Sequence, residues 1–354
     1  MSAVGIEPAP ALVLRAGLAS EDARRDAYVR AHPRGTFFHL SGWRRMVERV
    51  HGHDALDLCA WRGSQLVGVL PLMLCHGPLG AQKLISMPYA TYGGPLADEP
   101  ALERALVEHA GVLGRELGVG YVELRCVDDP GLALVPSALY ATFVRALPSD
   151  PAGVLAGMPK KARAEARKAR DKHRLELSSG HWYLDDLQRM FLLNKHELGS
   201  PGLPPAHFKS ILKQFEREVF VHLVRQGGVP LSAVMSFAYG DTLIAYYAGT
   251  QPGADRSHNA SNFMYMALQE WAVERGFKRF DFCRSRVDSG AYEFKRHQGF
   301  EPRPLNYRFL LVRDRHPPNF TPSNPRTAVL RKAWSRLPPW LARALSNKLA
   351  RYLP

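Results

Sequence analysis

The sequence has few cysteines, no long apolar run and a shortage of acidic residues. Its four cysteines are spread over 354 residues, with neither zinc-ligand spacing nor the framework of a disulfide-rich secreted domain. No run of about 18 apolar residues occurs, and the N-terminal segment lacks the basic start and apolar core of a signal peptide. These absences predict a cytoplasmic protein without a structural metal or a membrane-spanning segment.

The shortage of acidic residues leaves the chain strongly basic. Lys and Arg number 47 against 33 Asp and Glu, which gives a formal net charge of +14. This excess favours anionic partners such as nucleic acid, nucleotide-linked sugars or an acidic membrane, although a nonspecific basic surface has the same composition. A hydrophobic content of 46% over this length allows two cores of about 150 residues each.

The chain divides into two segments with similar orders of predicted elements. The first has a helix from Ser41, strands at 55–61, 65–75 and 83–87, a helix at 99–117, and strands at 121–127 and 141–147. After the proline-containing boundary at 148–151, the second has helices at 159–172, 184–198 and 207–215, strands at 219–224, 231–239 and 242–248, and a helix at 262–275. The pattern predicts an α/β fold of two modules, each a mixed, mostly antiparallel sheet flanked by helices. We place them at residues 10–147 and 151–318, followed by a basic amphipathic helical tail at 319–354.

The helix predicted at 159–172 has an unusual composition. It carries seven cations and two carboxylates interleaved with alanines, and it has almost no apolar stripe. We therefore expect that core burial does not hold it, so that it is a solvated arm or a surface for polyanions such as phosphates or tRNA. Its candidate donor-binding residues are Lys160, Lys161, Arg163 and Arg167.

The segment at 276–300, GFKRFDFCRSRVDSGAYEFKRHQGF, places Lys295 close to aromatic residues and to an Arg/Ser-rich turn. The aromatic neighbours would hold the lysine stem while its ammonium meets a phosphate or a developing oxyanion in a cleft. A solvated basic loop beside a strand is the alternative. Arg284, Ser285 and Tyr292 are candidate substrate-binding residues in the same segment.

Together with GTQPGADRSHNASNFMYMALQEWAVERG at 249–276 and YATYGGPLAD at 89–98, this segment resembles the FemAB-related family. The resemblance is to the branch found with exosortase and exopolysaccharide gene clusters, and it runs from about residue 36 to 354. It implies two tandem GNAT-like modules, the second a BioF2-like acetyltransferase domain. Better-known members transfer amino acids from aminoacyl-tRNA to cell-wall precursors. The resemblance therefore implies an acyltransferase or aminoacyltransferase without a permanent cofactor, acting on a cell-envelope glycan or peptide precursor.

The resemblance also suggests roles for single residues. Lys295 matches a Phe-Lys motif whose lysine meets the nucleotide phosphate and the polarised carbonyl in relatives. Tyr246 or Tyr247 matches a substrate-binding tyrosine, with the register left open, and strand tyrosines also pack as half-buried residues. Arg44 falls in the region that binds the acceptor. No general base is assigned, because the strand matching the relatives' aspartate reads Glu-Leu-Arg at 123–125.

Two glycine-containing loops are further candidates. Gly93 and Gly94 would let backbone approach a ligand beside Tyr92, or would simply form a tight turn. The loop at 249–261 precedes a helix that begins near Asn262, where ordinary GNAT enzymes bind the phosphates of acetyl-CoA. Its sequence lacks their Arg/Gln-x-x-Gly-x-Gly/Ala pattern, which weakens an acyl-CoA donor. The donor stays open between aminoacyl-tRNA and acyl-CoA.

The tail combines leucines and two tryptophans with many cations. Such a segment either contacts an anionic membrane peripherally or packs on the first module. We expect a monomer. The alternative to an enzyme is a non-catalytic GNAT-fold protein that binds a saccharide or a nucleotide-sugar in exopolysaccharide biosynthesis.

Overall fold

The computed structural model describes residues 11–318 and 325–353, and of residues 325–327 it describes the backbone alone. The described strands are β1 (Leu12–Ala16), β2 (Asp54–Ala55), β3 (Leu58–Arg62), β4 (Gln65–Leu70), β5 (Met73–His76), β6 (Gln82–Ile85), β7 (Leu96–Ala97), β8 (Tyr121–Cys126), β9 (Val135–Ser137), β10 (Tyr140–Thr142), β11 (Val144–Ala146), β12 (Glu176–Ser179), β13 (Val219–Gln226), β14 (Val229–Tyr239), β15 (Thr242–Thr250), β16 (Arg279–Asp281), β17 (Ser285–Arg286), β18 (Arg303–Pro304) and β19 (Asn306–Leu311). The described α-helices are α1 (Asp22–Ala31), α2 (Ser41–His51), α3 (Pro100–Glu116), α4 (Pro151–Ala156), α5 (Lys160–Asp171), α6 (Leu184–Glu197), α7 (Pro205–Gln214), α8 (Ala254–His258), α9 (Ala260–Glu274), α10 (Gly290–His297), α11 (Pro325–Trp334) and α12 (Pro339–Leu349).

The chain forms two compact units. The first contains residues 11–48 together with 53–136 and 306–317. One of its sheets has the strand order β2-β5-β6-β8-β19-β9, and the other has the order β1-β3-β4-β7. Leucine, valine and alanine side chains from these strands and from α3 form its core, so each element buries its apolar face against a neighbour.

The apolar run at 65–75, predicted as one strand, is two strands in different sheets. β4 ends at Leu70 and β5 begins at Met73, and Pro71 lies between them. Proline has no backbone N–H for a strand ladder, so it is suited to the point where the chain leaves one sheet. The backbone N–H of Leu72 instead donates to Asp57 Oδ1 at 3.0 Å.

The second unit contains residues 49–52 and 137–305 and the chain from 318 onwards. Its six-stranded sheet has the order β11-β16-β15-β14-β13-β12, and a small sheet has the order β17-β10-β18. Side chains of α4, α5 and α9 pack on one face of the larger sheet in a common core. On the other face α6 lies on β14 and β15, where Phe191 contacts the ring of Tyr247.

The edges of the two units differ from the predicted module boundaries. Residues 137–147, placed by the sequence in the first module, include β11, which pairs with β16 of the second unit. Residues 306–317, placed in the second module, contain β19, which pairs with β8 of the first unit. Local periodicity predicts a strand but not its partner, and β19 lies far along the chain from β8.

The tail is joined to the second unit by α12, which packs on α6. Ser346 is buried on the inner side of α12, and its hydroxyl oxygen accepts a hydrogen bond of 3.0 Å from the Gly202 backbone. His196 of α6 also hydrogen-bonds the Leu337 carbonyl at 2.9 Å. The packing partner of the tail in these contacts is α6, whereas the sequence analysis considered the first module.

The architecture confirms the predicted fold class, since mixed and mainly antiparallel sheets are flanked by helices in both units. Among residues 11–318 and 325–353, no helix is both long and apolar enough to cross a membrane.

Candidate functional site

The central feature of the second unit is the point where β15 and β16 separate. These two strands are parallel and pair through three residues each, ending at Ile244 and Asp281. β15 continues to Thr250, whereas the chain beyond β16 turns away at Phe282. The strand ends therefore border a gap in the sheet, into which backbone groups and side chains from both strands can project.

A β-bulge in β15 lies beside this gap. Met235 of β14 pairs with Tyr247, and the next residue, Ser236, pairs with Ala245, so that Tyr246 is the extra residue. The rings of Tyr246 and Tyr247 are 4.6 Å apart, and both lie near Phe237. The sequence does not decide whether Tyr246 or Tyr247 is the substrate-binding tyrosine. The bulge places both rings near Phe237.

Tyr247 is held in a hydrogen-bond chain that the sequence analysis missed. Its hydroxyl lies 2.7 Å from His207 Nε2, and His207 Nδ1 lies 2.9 Å from His51 Nε2. Burial lowers the pKa of His207 well below its usual value, so this imidazole is neutral near pH 7. A neutral imidazole has one N–H and one acceptor nitrogen, so His207 can exchange a proton with the Tyr247 hydroxyl. The sequence signal for it is a histidine at the start of a predicted helix.

Lys295 lies on α10 and is buried, with 9% of its surface exposed. Its Nζ donates hydrogen bonds to the carbonyl oxygens of Phe282, Cys283 and Arg284, at 2.5, 3.0 and 3.2 Å. An ammonium has three N–H groups, and these three carbonyls use all of them. Lys295 thus fixes the backbone that leaves β16, where Cys283 has a φ of 56° that non-glycine residues rarely adopt.

The electrostatics at Lys295 follow from its burial. Its Nζ lies 5.3 Å from the ring centre of Phe143 and 5.4 Å from that of Phe282. Burial lowers the pKa of Lys295 to about 8, opposed by the nearby Cys283 and Asp281. The aromatic side chains that face the ammonium are thus Phe143 and Phe282, and not the residues next to Lys295 in the sequence.

The other predicted residues of this segment lie around the same loop. The Arg284 guanidinium lies 4.7 Å from the ring centre of Tyr140. Ser285 is buried in β17, where it pairs with Ala141. Tyr292 is half-buried on α10, and its ring meets Phe143 edge-on at 5.3 Å. The structure thus brings Lys295, Arg284, Ser285 and Tyr292 together, with Arg284 the member whose charge is suited to an anionic ligand.

Asn262 is tied to other parts of the unit. Its amide nitrogen donates to Glu165 Oε2 at 3.0 Å, and its amide oxygen accepts a hydrogen bond from Gln298. The helix start beside it is also engaged, because Asp255 accepts hydrogen bonds from Ser261 N at 2.7 Å and from Ser261 Oγ at 3.0 Å. These contacts assign Asn262 to packing between helices, and they place a carboxylate at the start of α9.

The basic helix α5 packs in a way that the sequence analysis excluded. Ala162, Ala166 and Ala169 are buried, and α5 contacts α9. The expectation that core burial does not hold this helix is therefore wrong, because alanines at this spacing form a narrow stripe that lets two helices approach closely. The predicted donor-binding residues Lys160, Lys161 and Arg167 are exposed, whereas Arg163 is half-buried and donates to the Ala156 carbonyl at 3.2 Å.

In the first unit, Arg44 belongs to a buried ion-pair network. The guanidinium donates to both carboxylate oxygens of Asp22, at 2.6 and 2.7 Å, and its Nε lies 3.6 Å from Asp57. Only 6% of Arg44 is exposed. Removing this guanidinium would leave buried carboxylates without their partner, so Arg44 has a structural role and we do not retain it among the proposed substrate contacts.

The Tyr92-Gly93-Gly94 loop is packed against its own unit. A methyl group on Gly93 would lie 2.4 Å from the Ser86 carbonyl oxygen, and one on Gly94 would lie 3.0 Å from Cys126 Sγ. Tyr92 is 5% exposed. Both glycines are thus required by close backbone packing, although the same loop borders a small cavity of about 40 Å³ that Arg34 and Asp128 also line.

Comparisons with known proteins identify the second unit. Residues 158–296 match the family model described as an acetyltransferase (GNAT) domain. This part of the chain is a GNAT domain. The match includes β13 to β16, the bulge and α10 up to Arg296, so the strand gap and Lys295 lie inside the GNAT domain.

Solved structures extend the likeness to most of the chain. A crystal structure of FemX has a TM-score of 0.63 at 12% identity, with 82% of this chain and 96% of that chain covered. A tandem GNAT protein from the clavulanic acid biosynthesis pathway, solved without AcCoA, has a TM-score of 0.56 at 15% identity, with 87% and 100% covered. A comparison with curated proteins finds no match. The predicted resemblance to FemAB-related GNAT proteins and the predicted enzyme class, an acyltransferase, are confirmed.

Proposed function

We propose that the chain transfers an aminoacyl group from aminoacyl-tRNA to a cell-envelope glycan or peptide precursor, and that the reaction takes place at the β15–β16 gap of the GNAT domain. The observation that carries this proposal is the gap itself. Tyr246 and Tyr247 border it from the bulged strand, and the loop fixed by Lys295 leaves from the other strand. The resemblance of the sequence to the exopolysaccharide-associated branch supports the acceptor class.

The start of α9 supports aminoacyl-tRNA over acyl-CoA as the donor. GNAT enzymes that use acetyl-CoA bind its phosphates on backbone amides at such a helix start. Here the Ser261 amide is bonded to the carboxylate of Asp255, which repels a pyrophosphate at that position. A CoA ester would have to displace this carboxylate.

The exposed face of α5 supplies an alternative anion-binding surface. Lys160, Lys161, Arg167, Lys168 and Lys172 are exposed on it, and Asp171 is the one exposed carboxylate of this helix. A row of solvated cations along a helix attracts a phosphate backbone through charge, without reading its sequence. This surface is suited to guiding a tRNA.

The chemistry requires two proton movements. The acceptor amine attacks the carbonyl carbon of the aminoacyl ester, the C–O bond to the tRNA ribose breaks, the nitrogen loses a proton and the leaving oxygen gains one. We assign the delivery of the second proton to the Tyr247 hydroxyl. His207 then gives its Nε2 proton to the tyrosinate across their 2.7 Å contact, while its Nδ1 takes a proton from His51 Nε2 at 2.9 Å. The amine proton returns to the chain of imidazoles through solvent.

We propose that Lys295 acts as a positioning residue in this reaction. Its N–H groups are used by three loop carbonyls, so it holds Arg284 in place, and Arg284 contacts the anionic donor. Its positive charge also lies close to the loop and contributes to a field that stabilises a developing oxyanion.

A donor comparison tests this proposal. Purified protein is incubated with an envelope-precursor fraction and with either labelled aminoacyl-tRNA or labelled acetyl-CoA. We expect label in the acceptor from aminoacyl-tRNA alone, and a KM for tRNA raised about 10-fold or more in a Lys161→Ala, Arg167→Ala, Lys168→Ala variant. Transfer from acetyl-CoA with an unaffected α5 variant would contradict the donor assignment. Transfer from neither donor would favour the saccharide-binding alternative.

An anionic membrane surface is also a proposed partner, because the tail is rich in cations and the acceptor class includes membrane-linked precursors. We also propose that the protein is a monomer.

A further inference from the structure

The tail helices α11 and α12 combine two features that usually occur apart. Residues 325–353 contain seven Lys and Arg and no Asp or Glu. The same helices expose large apolar side chains, since Val329 and Leu330 are each 69% exposed and Trp340 is 71% exposed. Most exposed apolar residues on soluble proteins are isolated, so a cluster of them among cations marks an interaction surface.

The geometry of each helix places these side chains on an outward face. In α12 the inner residues Ala342 and Ser346 are buried against the second unit. Trp340 and Lys348 are exposed, and the spacing of a helix puts them on the opposite side, with the exposed Arg343 on the flank between the two sides. In α11, Val329 and Leu330 are exposed side by side, and Lys332 is exposed three residues after Val329. Arg336 is exposed just beyond the end of this helix.

A groove beside α12 has matching chemistry. It has a volume of about 310 Å³ and lies between α6 and the tail helices. Leu192, Leu193, Trp334 and Trp340 form apolar walls, while Arg189 and Arg343 place guanidinium groups in the lining. A ligand with an apolar chain and an anionic head satisfies both kinds of wall.

Two basic surfaces of the second unit can be compared directly. The exposed face of α5 has five cations and no large exposed apolar side chain, which is suited to a phosphate backbone. The tail has cations with an exposed tryptophan, leucine and valine, which is the composition of helices that lie in a bilayer interface. We propose that the outward face of α11 and α12 docks the protein on an anionic phospholipid bilayer.

In this docked state the two kinds of side chain have separate roles. Trp340, Val329 and Leu330 enter the boundary between headgroups and acyl chains, where an indole is especially favoured. Lys332, Arg336, Arg343 and Lys348 contact lipid phosphates. This inference rests on the membrane contact named under the proposed function and specifies its surface. Neither role depends on the identity of the donor, so vesicle binding and aminoacyl transfer can fail independently.

Vesicle sedimentation tests the charge requirement. Wild-type protein is mixed with vesicles of phosphatidylcholine alone or with 30% phosphatidylglycerol. We expect binding to the anionic vesicles that weakens as salt is raised, and weak binding to neutral ones. An Arg343→Gln, Lys348→Gln variant should bind the anionic vesicles about 30-fold more weakly, because each cation near such a surface contributes about a factor of five. The matched control is the α5 variant Lys161→Ala, Arg167→Ala, Lys168→Ala, which should bind vesicles normally.

Fluorescence quenching tests insertion of Trp340. Vesicles with brominated acyl chains should quench part of the tryptophan emission of the wild type, and Trp340→Phe should lose that quenching. Trp182 is 77% exposed and lies outside the tail, so Trp182→Phe is a control that should retain it. Because Trp340 is 71% exposed, Trp340→Phe should leave the melting temperature unchanged.

Three results would overturn the inference. One is equal binding of wild type and the Arg343→Gln, Lys348→Gln variant to anionic vesicles. Another is quenching that persists in Trp340→Phe and disappears in Trp182→Phe. The third is a tail variant that binds vesicles as the wild type does but no longer binds tRNA. That result would make the tail a nucleic-acid surface.

Discussion

At the scale of single residues, the position of Lys295 follows from the sequence but its partners do not. The Phe-Lys motif directs attention to this residue, and the structure places it next to the loop that leaves β16. Its three carbonyl partners lie 11 to 13 residues earlier in the chain, and no pattern of residue types specifies a bond to backbone. For the same reason no pattern of residue types indicates that Asp255 occupies the start of α9.

Replacing Lys295 should disable the site and loosen the loop. In Lys295→Met three buried carbonyls lose their donor, which costs about 1–3 kcal/mol of unfolding free energy. Displacement of the loop should lower kcat by about 100-fold. Chemical denaturation and single-turnover transfer measure the two effects. The control is Arg296→Met, an exposed neighbour on α10, which should change neither.

The pH dependence of the wild type distinguishes positioning by the ammonium from a purely steric role. The pKa of Lys295 is about 8, so the ammonium and its third N–H are lost as the pH rises through that value. Transfer, corrected for the fraction of acceptor amine that is deprotonated, should therefore fall between pH 7.5 and 9. A corrected rate that is flat over this range would show that the charge is not required.

Buried histidines should make the protein sensitive to acid. Burial lowers the pKa of His39 in the first unit to about 4 and that of His222 in the second unit to about 3. Below the unfolded value of about 6.5 the unfolded chain binds protons that the folded chain does not, so the free energy of unfolding falls as pH falls. From pH 7.0 to 5.5 each histidine should contribute a loss of about 1 kcal/mol.

Urea unfolding at the two pH values measures this loss. His222→Gln can keep a hydrogen bond to Ser236 or Ser179, which lie 2.8 Å from the imidazole, and should reduce the acid-induced loss by about 1 kcal/mol. The exposed His297→Gln is the control and should leave the loss unchanged. An equal loss in His222→Gln and wild type would contradict the account.

At the scale of elements, α5 shows what composition predicts and what it does not. The sequence predicts the positive charge of α5 correctly. It does not predict the burial of this helix, because alanine side chains are too small to be recognised as an apolar stripe. In the structure Ala166 is fully buried, as is Ala169. Small side chains at helical spacing allow a close helix contact that is visible only once the partner helix is known.

Substitutions on the two faces of α5 should separate stability from binding. Ala166→Leu adds volume at a fully buried position and should cost about 1–3 kcal/mol of unfolding free energy. Lys168→Ala lies on the exposed face and should leave stability unchanged while weakening tRNA binding. Thermal melts and filter binding measure the two properties. Equal stability of both variants would mean that α5 is not held by its alanines.

At the scale of the whole molecule, the order of elements was predictable and the pairing of the last strand was not. Periodicity and turn residues predict the strands that became β13, β14 and β15 and the helices on either side of them. β19 pairs with β8 across about 180 residues of sequence, and the gap beside the bulged β15 depends on where pairing with β16 stops. Such features arise from long-range hydrogen bonds, which local sequence patterns do not encode.

The central claim is that Tyr247, supported by His207, delivers a proton at the β15–β16 gap during acyl transfer. Its most direct test is the single-turnover rate of label transfer from aminoacyl-tRNA in Tyr247→Phe, with Tyr121→Phe of the first unit as the control. We predict a rate lowered by about 100- to 10,000-fold with donor affinity unchanged, and a control rate equal to that of the wild type. A Tyr247→Phe protein that is folded, binds the donor and transfers the label at the wild-type rate would contradict the account.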